Sequence, residues 1–262
     1  MALECANCAE CPLRPYWERR GHWNPVPFEY NESDILVLGD APSKQDIANS
    51  RPFVDSHGIE VMDALEGLKR KRLDVDWGNL LGCRWPDDKP KVFLAQLQKR
   101  NRKRAKEGKP LLLNPVAACW PHVREELKQY GLIITLGPYA AKALLDGNPK
   151  LEDVRGGPTR RGEQKLLPTY HPNYLQVQPH LREVFRSDLA KAFRYYNDAL
   201  RWEDPKVYYQ PTVEWARAWF KRNRHKVLAY DVETDGIDSL TTGLRCIGIG
   251  TTDEVLMFGF QS

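Results

Sequence analysis

The sequence predicts an α/β fold built on a mostly parallel sheet, and three observations carry that prediction. Short apolar runs at 34–42 and 132–137 end at Gly or Pro, and another opens 165–175 before a Pro-rich loop, as buried strands do where they feed loops. Segments with helical spacing lie between these runs, the alternation that builds a layered α/β protein. Strand and helix patterns then restart near residue 201, dividing the chain into domains at 1–200 and 201–262.

In chain order, residues 5–30 mix Cys, Pro, Trp and Arg without a period and read as irregular. "DILVLGDAP" (34–42) is a strand entering a loop. Residues 58–70 are a helix with Val61, Leu65 and Leu68 on one face. Residues 77–86 are a strand or loop closed by Pro86. A helix over 115–131 stops at Gly131. A strand follows at 132–137, then a helix over 138–147 opened by Pro138. "KLLPTYHPNYL" (165–175) is a strand running into a Pro-rich loop, and 182–200 is a helix. Beyond the boundary come a strand (204–209), a helix (211–225), a carboxylate-bearing strand (226–239) and a hairpin (244–260) turning at Thr252-Asp253.

The chain has 262 residues, 42% of them apolar, which supports a normal core and argues against disorder. The excess of 39 basic over 35 acidic residues is too small to indicate a polyanionic partner by itself. No apolar run follows Met1 and none is long enough to cross a bilayer. Six Cys without a leader point to a reducing, cytoplasmic compartment, where clustered Cys serve more often as metal ligands than as disulfides. The basic charge gathers at 89–110, which holds nine Lys or Arg and one acid. Lys99, Arg100, Arg102, Lys103 and Arg104 are therefore candidates for DNA backbone contacts. A solvated helix face is the ordinary alternative.

Cys5-x-x-Cys8 and Cys8-x-x-Cys11 both have metal-ligand spacing. Cys83 and Cys119 stand just ahead of Trp-Pro pairs and could complete a site. One close pair with two scattered Cys suits a zinc ribbon less well than an iron–sulfur cluster. Unliganded surface thiols remain open.

Seven motifs in order resemble the iron–sulfur, family-four uracil-DNA glycosylases over about residues 8–196. They are "CAECPLR", "VLGDAPSKQD…SRPFVDSHG", "NLLGCRWP", "AACWPHV", "LIITLGPYAAKALL", "VRGG" and "LPTYHPNYL". The resemblance implies a uracil-DNA-glycosylase-like three-layer fold that excises uracil by N-glycosidic hydrolysis. It implies a [4Fe–4S] cluster on Cys8, Cys11, Cys83 and Cys119, leaving Cys5 spare. Phe53 would stack on uracil, Asn79 would read its edge, and backbone groups of Gly39, Ala41 and Pro42 would line the pocket. His171 would stabilise charge on uracil O2 and Asp40 would orient or activate water. Five residues at four places depart from the family pattern. Asp40 stands for Glu, Ser43 for Gly, Asp55 for Gly, and Gln176-Val177 for the Leu-Arg that helps wedge the duplex. A degenerate module that binds DNA or senses uracil is the competing implication, and a zinc-stabilised nucleic-acid binder is a third.

Asp231 and Glu233 lie two apart on a strand and so share one face. Paired carboxylates of this kind can hold divalent metals for phosphodiester hydrolysis. The stretch from "PTVEWARAWF" to "DEVLMF" resembles the opening of the 3′–5′ exonuclease domain of family A DNA polymerases. That implies the N-terminal part of a ribonuclease-H-like domain and a longer, phage-type polymerase. Two further Asp would come after Ser262, and Mg or Mn would bind only in the complete domain. The partners implied are DNA and the polymerase portion, in a bacterial or phage-infected host cytoplasm.

Overall fold

The computed structural model describes residues 7–21, 23–200, 205–236 and 242–260, so Cys5 lies outside the described residues. The chain forms two compact units, Met1–Leu200 and Arg201–Ser262. In the first unit the elements run α1 (Leu13–Glu18), β1 (Ile35–Gly39), α2 (Lys44–Asn49), α3 (Ser56–Gly67), β2 (Asp76–Asn79) and α4 (Pro90–Lys106). They continue with α5 (Pro115–Leu127), β3 (Leu132–Leu136), α6 (Pro138–Leu144), α7 (Leu151–Val154), β4 (Thr159–Arg161), β5 (Gln164–Thr169), α8 (Pro172–Val177) and α9 (Arg182–Tyr196).

The sheet order is β2-β1-β3-β5-β4. The first four strands are parallel, and β4 closes the edge antiparallel to β5. Both faces are covered, because alternate residues of each strand enter opposite cores. Leu36, Leu38 and Ile133 pack with α1, α5 and α6 through Trp17, Val123 and Leu144. Ile35, Val37, Leu132 and Ile134 pack with α3, α8 and α9 through Leu65, Leu175 and Leu189. This is the three-layer α/β arrangement that the alternation of strands and helices predicts.

Two expectations change in detail. Residues 13–18, read as irregular, form α1, whose Leu13 and Trp17 are buried. The Pro-rich loop after β5 is the helix α8, capped by His171, whose Nδ1 accepts from Asn173 N, with Pro172 at its first position. The basic segment is α4, and Leu97 is its one buried side chain.

Parallel strands end on the same side, so β1, β2, β3 and β5 present Gly39, Asn79, Gly137 and Thr169 at one edge. Chain direction across the sheet reverses between β1 and β3, and ligands in such sheets bind at that crevice.

The second unit has β6 (Lys206–Tyr209), α10 (Val213–Asn223), β7 (Ala229–Thr234), β8 (Leu244–Gly250) and β9 (Glu254–Gly259). Its sheet order is β6-β9-β8-β7, with β6 parallel to β9 and the remaining pairs antiparallel. Thr212 caps α10 by accepting from Trp215 N, and Trp219 packs on Leu256 while donating to Glu254 at 2.7 Å.

Candidate active site

The crevice holds a cavity of about 580 Å³ whose walls include Asp40, Ala41, Pro42, Ser43, His57 and His171. Asp40 follows β1 directly. Its Oδ1 accepts from Ala140 N at 2.7 Å, so the carboxyl caps α6, which has no side-chain cap of its own. Burial pushes Asp40 up to about 7, against the lowering pull of the Ala140 and Tyr139 N–H groups. Gly137, after β3, separates Asp40 from His171. A Cβ there would stand 2.7 Å from Asp40 Oδ2 and 3.1 Å from His171 Cβ, and φ is +97°. Only glycine allows the two side chains to come this close.

His171 Nδ1 accepts from Asn173 N at 3.2 Å, which leaves its proton on Nε2. Burial, with the charge of His57 adding, holds His171 down at about 4. The ring is therefore a neutral donor at ordinary pH.

Gly39, Phe53 and Asn79 stand behind this cavity rather than on its walls. A Cβ on Gly39 would lie 2.5 Å from both Asn79 Oδ1 and Phe53 Cζ, so both side chains close over this glycine. Phe53 is 5% exposed and its ring packs 5.5 Å from that of Trp77. Its backbone sits in the left-handed region at φ 55°. Arg72 holds it there, donating to Phe53 O at 2.9 Å and Pro52 O at 2.6 Å while paired with Glu29. Phe53 is thus held rigidly, fixed by a clamp that its sequence neighbours do not announce.

Ser43 has a local explanation. It caps α2 by accepting from Asp46 N, and Asp46 accepts in return from Ser43 N and from Val54 N. Asp55 caps α3, accepting from His57 N and Gly58 N, and its Oδ2 lies 2.7 Å from His57 Nδ1. His57 was not singled out from the sequence. The available signal was an Asp two residues before it, at the cap of a helix. Gln176 bonds Ser56 Oγ at 3.1 Å, and Val177 is 69% exposed on the cavity wall.

The cysteines converge beside the same crevice. Cys11, Cys83 and Cys119 share one apolar cluster with Leu13, Trp17 and Trp85. Burial raises Cys83, and thiolates at Cys119, Cys11 and Cys8 would raise it further, whereas a Trp23 hydrogen bond lowers it. Burial pushes Cys119 up to about 12, against a backbone hydrogen bond from Gly82. Burial also raises Cys11, opposed by the Leu13 and Arg14 N–H groups. Among the described residues, no three His, Cys, Asp or Glu side chains are arranged to hold a single ion.

Pro90, at the start of α4, lines the cavity. Lys99, Arg100, Arg102 and Lys103 are exposed along that helix, with Lys103 3.8 Å from Glu107. Arg104 is different, because its Nε caps the carbonyl of Pro110 at 2.6 Å. In the second unit Asp231 and Glu233 lie exposed on one face of β7, opposite Gly248 and Cys246.

Fold and site together define a three-layer α/β protein with a neutral imidazole and a half-buried carboxyl on either side of Gly137, at the carboxyl edge of its parallel sheet. The chain belongs to the uracil DNA glycosylase superfamily, whose sequence profile matches residues 27–201. It is 31% identical over 196 residues to the type-4 uracil-DNA glycosylase of Pyrobaculum aerophilum, covering 71% of this chain and 88% of that protein. The type-4 enzyme of Thermotoga maritima is 28% identical, with 71% and 88% covered. That of Saccharolobus solfataricus is 28% identical, with 73% and 82% covered. The superfamily match ends at residue 201, and nothing in these comparisons indicates a polymerase or exonuclease. No described helix is long and apolar enough to cross a membrane.

Proposed function

We propose that the first unit hydrolyses the N-glycosidic bond of deoxyuridine in DNA. The observation that carries this is that a neutral, Nε2-protonated His171 and Asp40 flank Gly137 and line one cavity. Uracil flipped from the strand would enter the crevice, stack on Phe53 and meet the side-chain amide of Asn79. As C1′–N1 breaks, its electron pair passes into the base, and His171 donates a hydrogen bond to the charge gathering on O2. Asp40 takes a proton from water as the water oxygen bonds C1′. The backbone of Gly39, Ala41 and Pro42 lines the path to the base. Lys99, Arg100, Arg102 and Lys103, exposed further along α4, offer charge to phosphates.

The donor set fits a [4Fe–4S] cluster on Cys8, Cys11, Cys83 and Cys119. Cys11, Cys83 and Cys119 share one apolar cluster, with N–H groups directed at all three, which supports soft thiolate ligation there. A cluster there would act structurally, fixing the loops that meet DNA, rather than taking part in hydrolysis.

One observation favours the runner-up, a DNA-binding or uracil-sensing module without catalysis. Asp40, a methylene shorter than the Glu of the resembled motif, has one oxygen committed to α6. Alkali treatment of a uracil oligonucleotide after incubation with excess iron-loaded protein separates the two. Strand breakage at uracil supports the enzyme, and an intact strand with retained DNA binding supports the module. For the second unit, the motif resemblance and the shared face of Asp231 and Glu233 support the start of an exonuclease domain joined to a polymerase. Divalent metal would bind there only with further carboxylates.

A further inference from the structure

The crevice holds a second imidazole that the hydrolysis above does not use. We propose that His57, fixed by Asp55, is a positioning residue that keeps His171 in its neutral, Nε2-protonated form. Its purpose rests on the glycosylase reading, whereas its geometry does not.

The buried Asp55 carboxylate is held by three contacts: His57 N at 3.0 Å, Gly58 N at 3.2 Å and His57 Nδ1 at 2.7 Å. A carboxylate so placed fixes both the position of the ring and the tautomer. The His57 ring then meets that of His171 edge to face, with centroids 5.8 Å apart and planes at 65°. Both rings line one cavity. Asp55 stands where the resembled motif has Gly, so this pair is a feature of this chain and not of the motif.

The charges around the pair give the arrangement its direction. Burial works against the Asp55 carboxylate, but His57, the Gly58 N–H and Ser43 hold it down at about 2. It is therefore ionised across the neutral range. The hydrogen bond to Asp55 raises His57 against the effect of burial, and Asn173 and Asp46 raise it further. The groups facing His57 are thus Asp55 on its own turn, Asp46 from α2, and Asn173 and His171 from α8. His171 faces His57, Asp55 and, across Gly137, Asp40, and Lys44 and Arg84 also line the cavity. Asp55 favours a charged His171 less than His57 opposes it. A proton on His57 beside His171 would resist a second one when charge on the departing base would otherwise attract it.

The test is a histidine NMR titration of the whole chain, run beside the pH profile of excision. His57→Gln and His57→Asn should each move the His171 titration upward by about 0.5 to 2 pH units. That range is the influence of one charge at 5.8 Å in a medium between water and a protein surface. Below the limb that Asp40 sets near pH 7, the further loss of excision caused by His171 protonation should move upward with it. Asp55→Asn should lower the titration of His57. A His171 titration unmoved in both His57 variants would overturn the proposal. A moved titration in a protein that excises nothing would uphold it and refute the glycosylase reading instead.

Discussion

Gly39→Ala is a sharp steric perturbation of the crevice. A Cβ at 39 would stand 2.5 Å from Asn79 Oδ1 and from Phe53 Cζ. Carbon contacts settle near 3.5–4.0 Å, so each neighbour would have to withdraw by about 1 Å. Phe53 has little room to do so. Its ring packs on Trp77, its carbonyl is bound by Arg72, and a Cβ on Gly58 would stand only 1.9 Å from that carbonyl, so α3 also presses on it. Asn79 ends β2 in register with Gly39 and moves only with its strand. Overpacking of this kind costs about 1–3 kcal/mol. For a unit of this size each kcal/mol lowers the melting temperature by about 2–4 °C. Displacing a substrate-positioning group by about 1 Å lowers the rate about a hundredfold. The assay is single-turnover uracil excision beside a thermal melt. An unchanged rate with an unchanged melt would refute the closure of Phe53 and Asn79 over Gly39.

Four further outcomes follow. Asp40 must be ionised to accept a proton from water, so excision should fall about tenfold per pH unit below its value of about 7, and a rate flat from pH 5 to 8 would exclude that role. Because folding raises this carboxyl, Asp40 lends stability that is complete below the ordinary carboxylate range and is lost as pH rises through about 7; Asp40→Asn should therefore melt higher than the unaltered chain at pH 8 and lose that advantage at pH 4. Cys11→Ser and Cys119→Ser should abolish iron binding in anaerobically purified protein while Cys5→Ser retains it, and zinc in place of iron in the unaltered chain would exclude the cluster. Replacing Lys99, Arg100, Arg102 and Lys103 with Gln should weaken single-stranded DNA binding and flatten its salt dependence by about 0.7 in log–log slope for each phosphate no longer neutralised, and an unchanged slope would show that α4 is a solvated face.

The parallel core was legible because β1, β3 and β5 are apolar runs stopped by Gly or by the approach to Pro. The helices α5 and α9 were legible through their period. Short helices were not. With six residues α1 has under two turns, too few for periodicity to register, and its Pro and Arg residues mask the buried Leu13 and Trp17. The Pro of α8 suggested a loop, although Pro at a first helical position behind a capping side chain is equally a helix start. Within the site, motif order named residues that the fold brings together around Gly39 and Gly137. It did not disclose the contacts that set their chemistry. The capping of α6 by Asp40 joins residues a hundred positions apart, and the Arg72 clamp on Phe53 depends on a left-handed backbone that no residue type signals. The Asp55–His57 pair was within reach, since an Asp at a helix start two residues before a His is a local pattern.

The most direct test measures free uracil released from a single-stranded oligonucleotide by excess iron-loaded protein, unaltered and as His171→Gln. The account predicts stoichiometric release by the unaltered chain, none from the thymine control, and a rate about 10²–10³ lower without the His171 donor. No uracil release by the unaltered chain, with iron bound and DNA held, would contradict it.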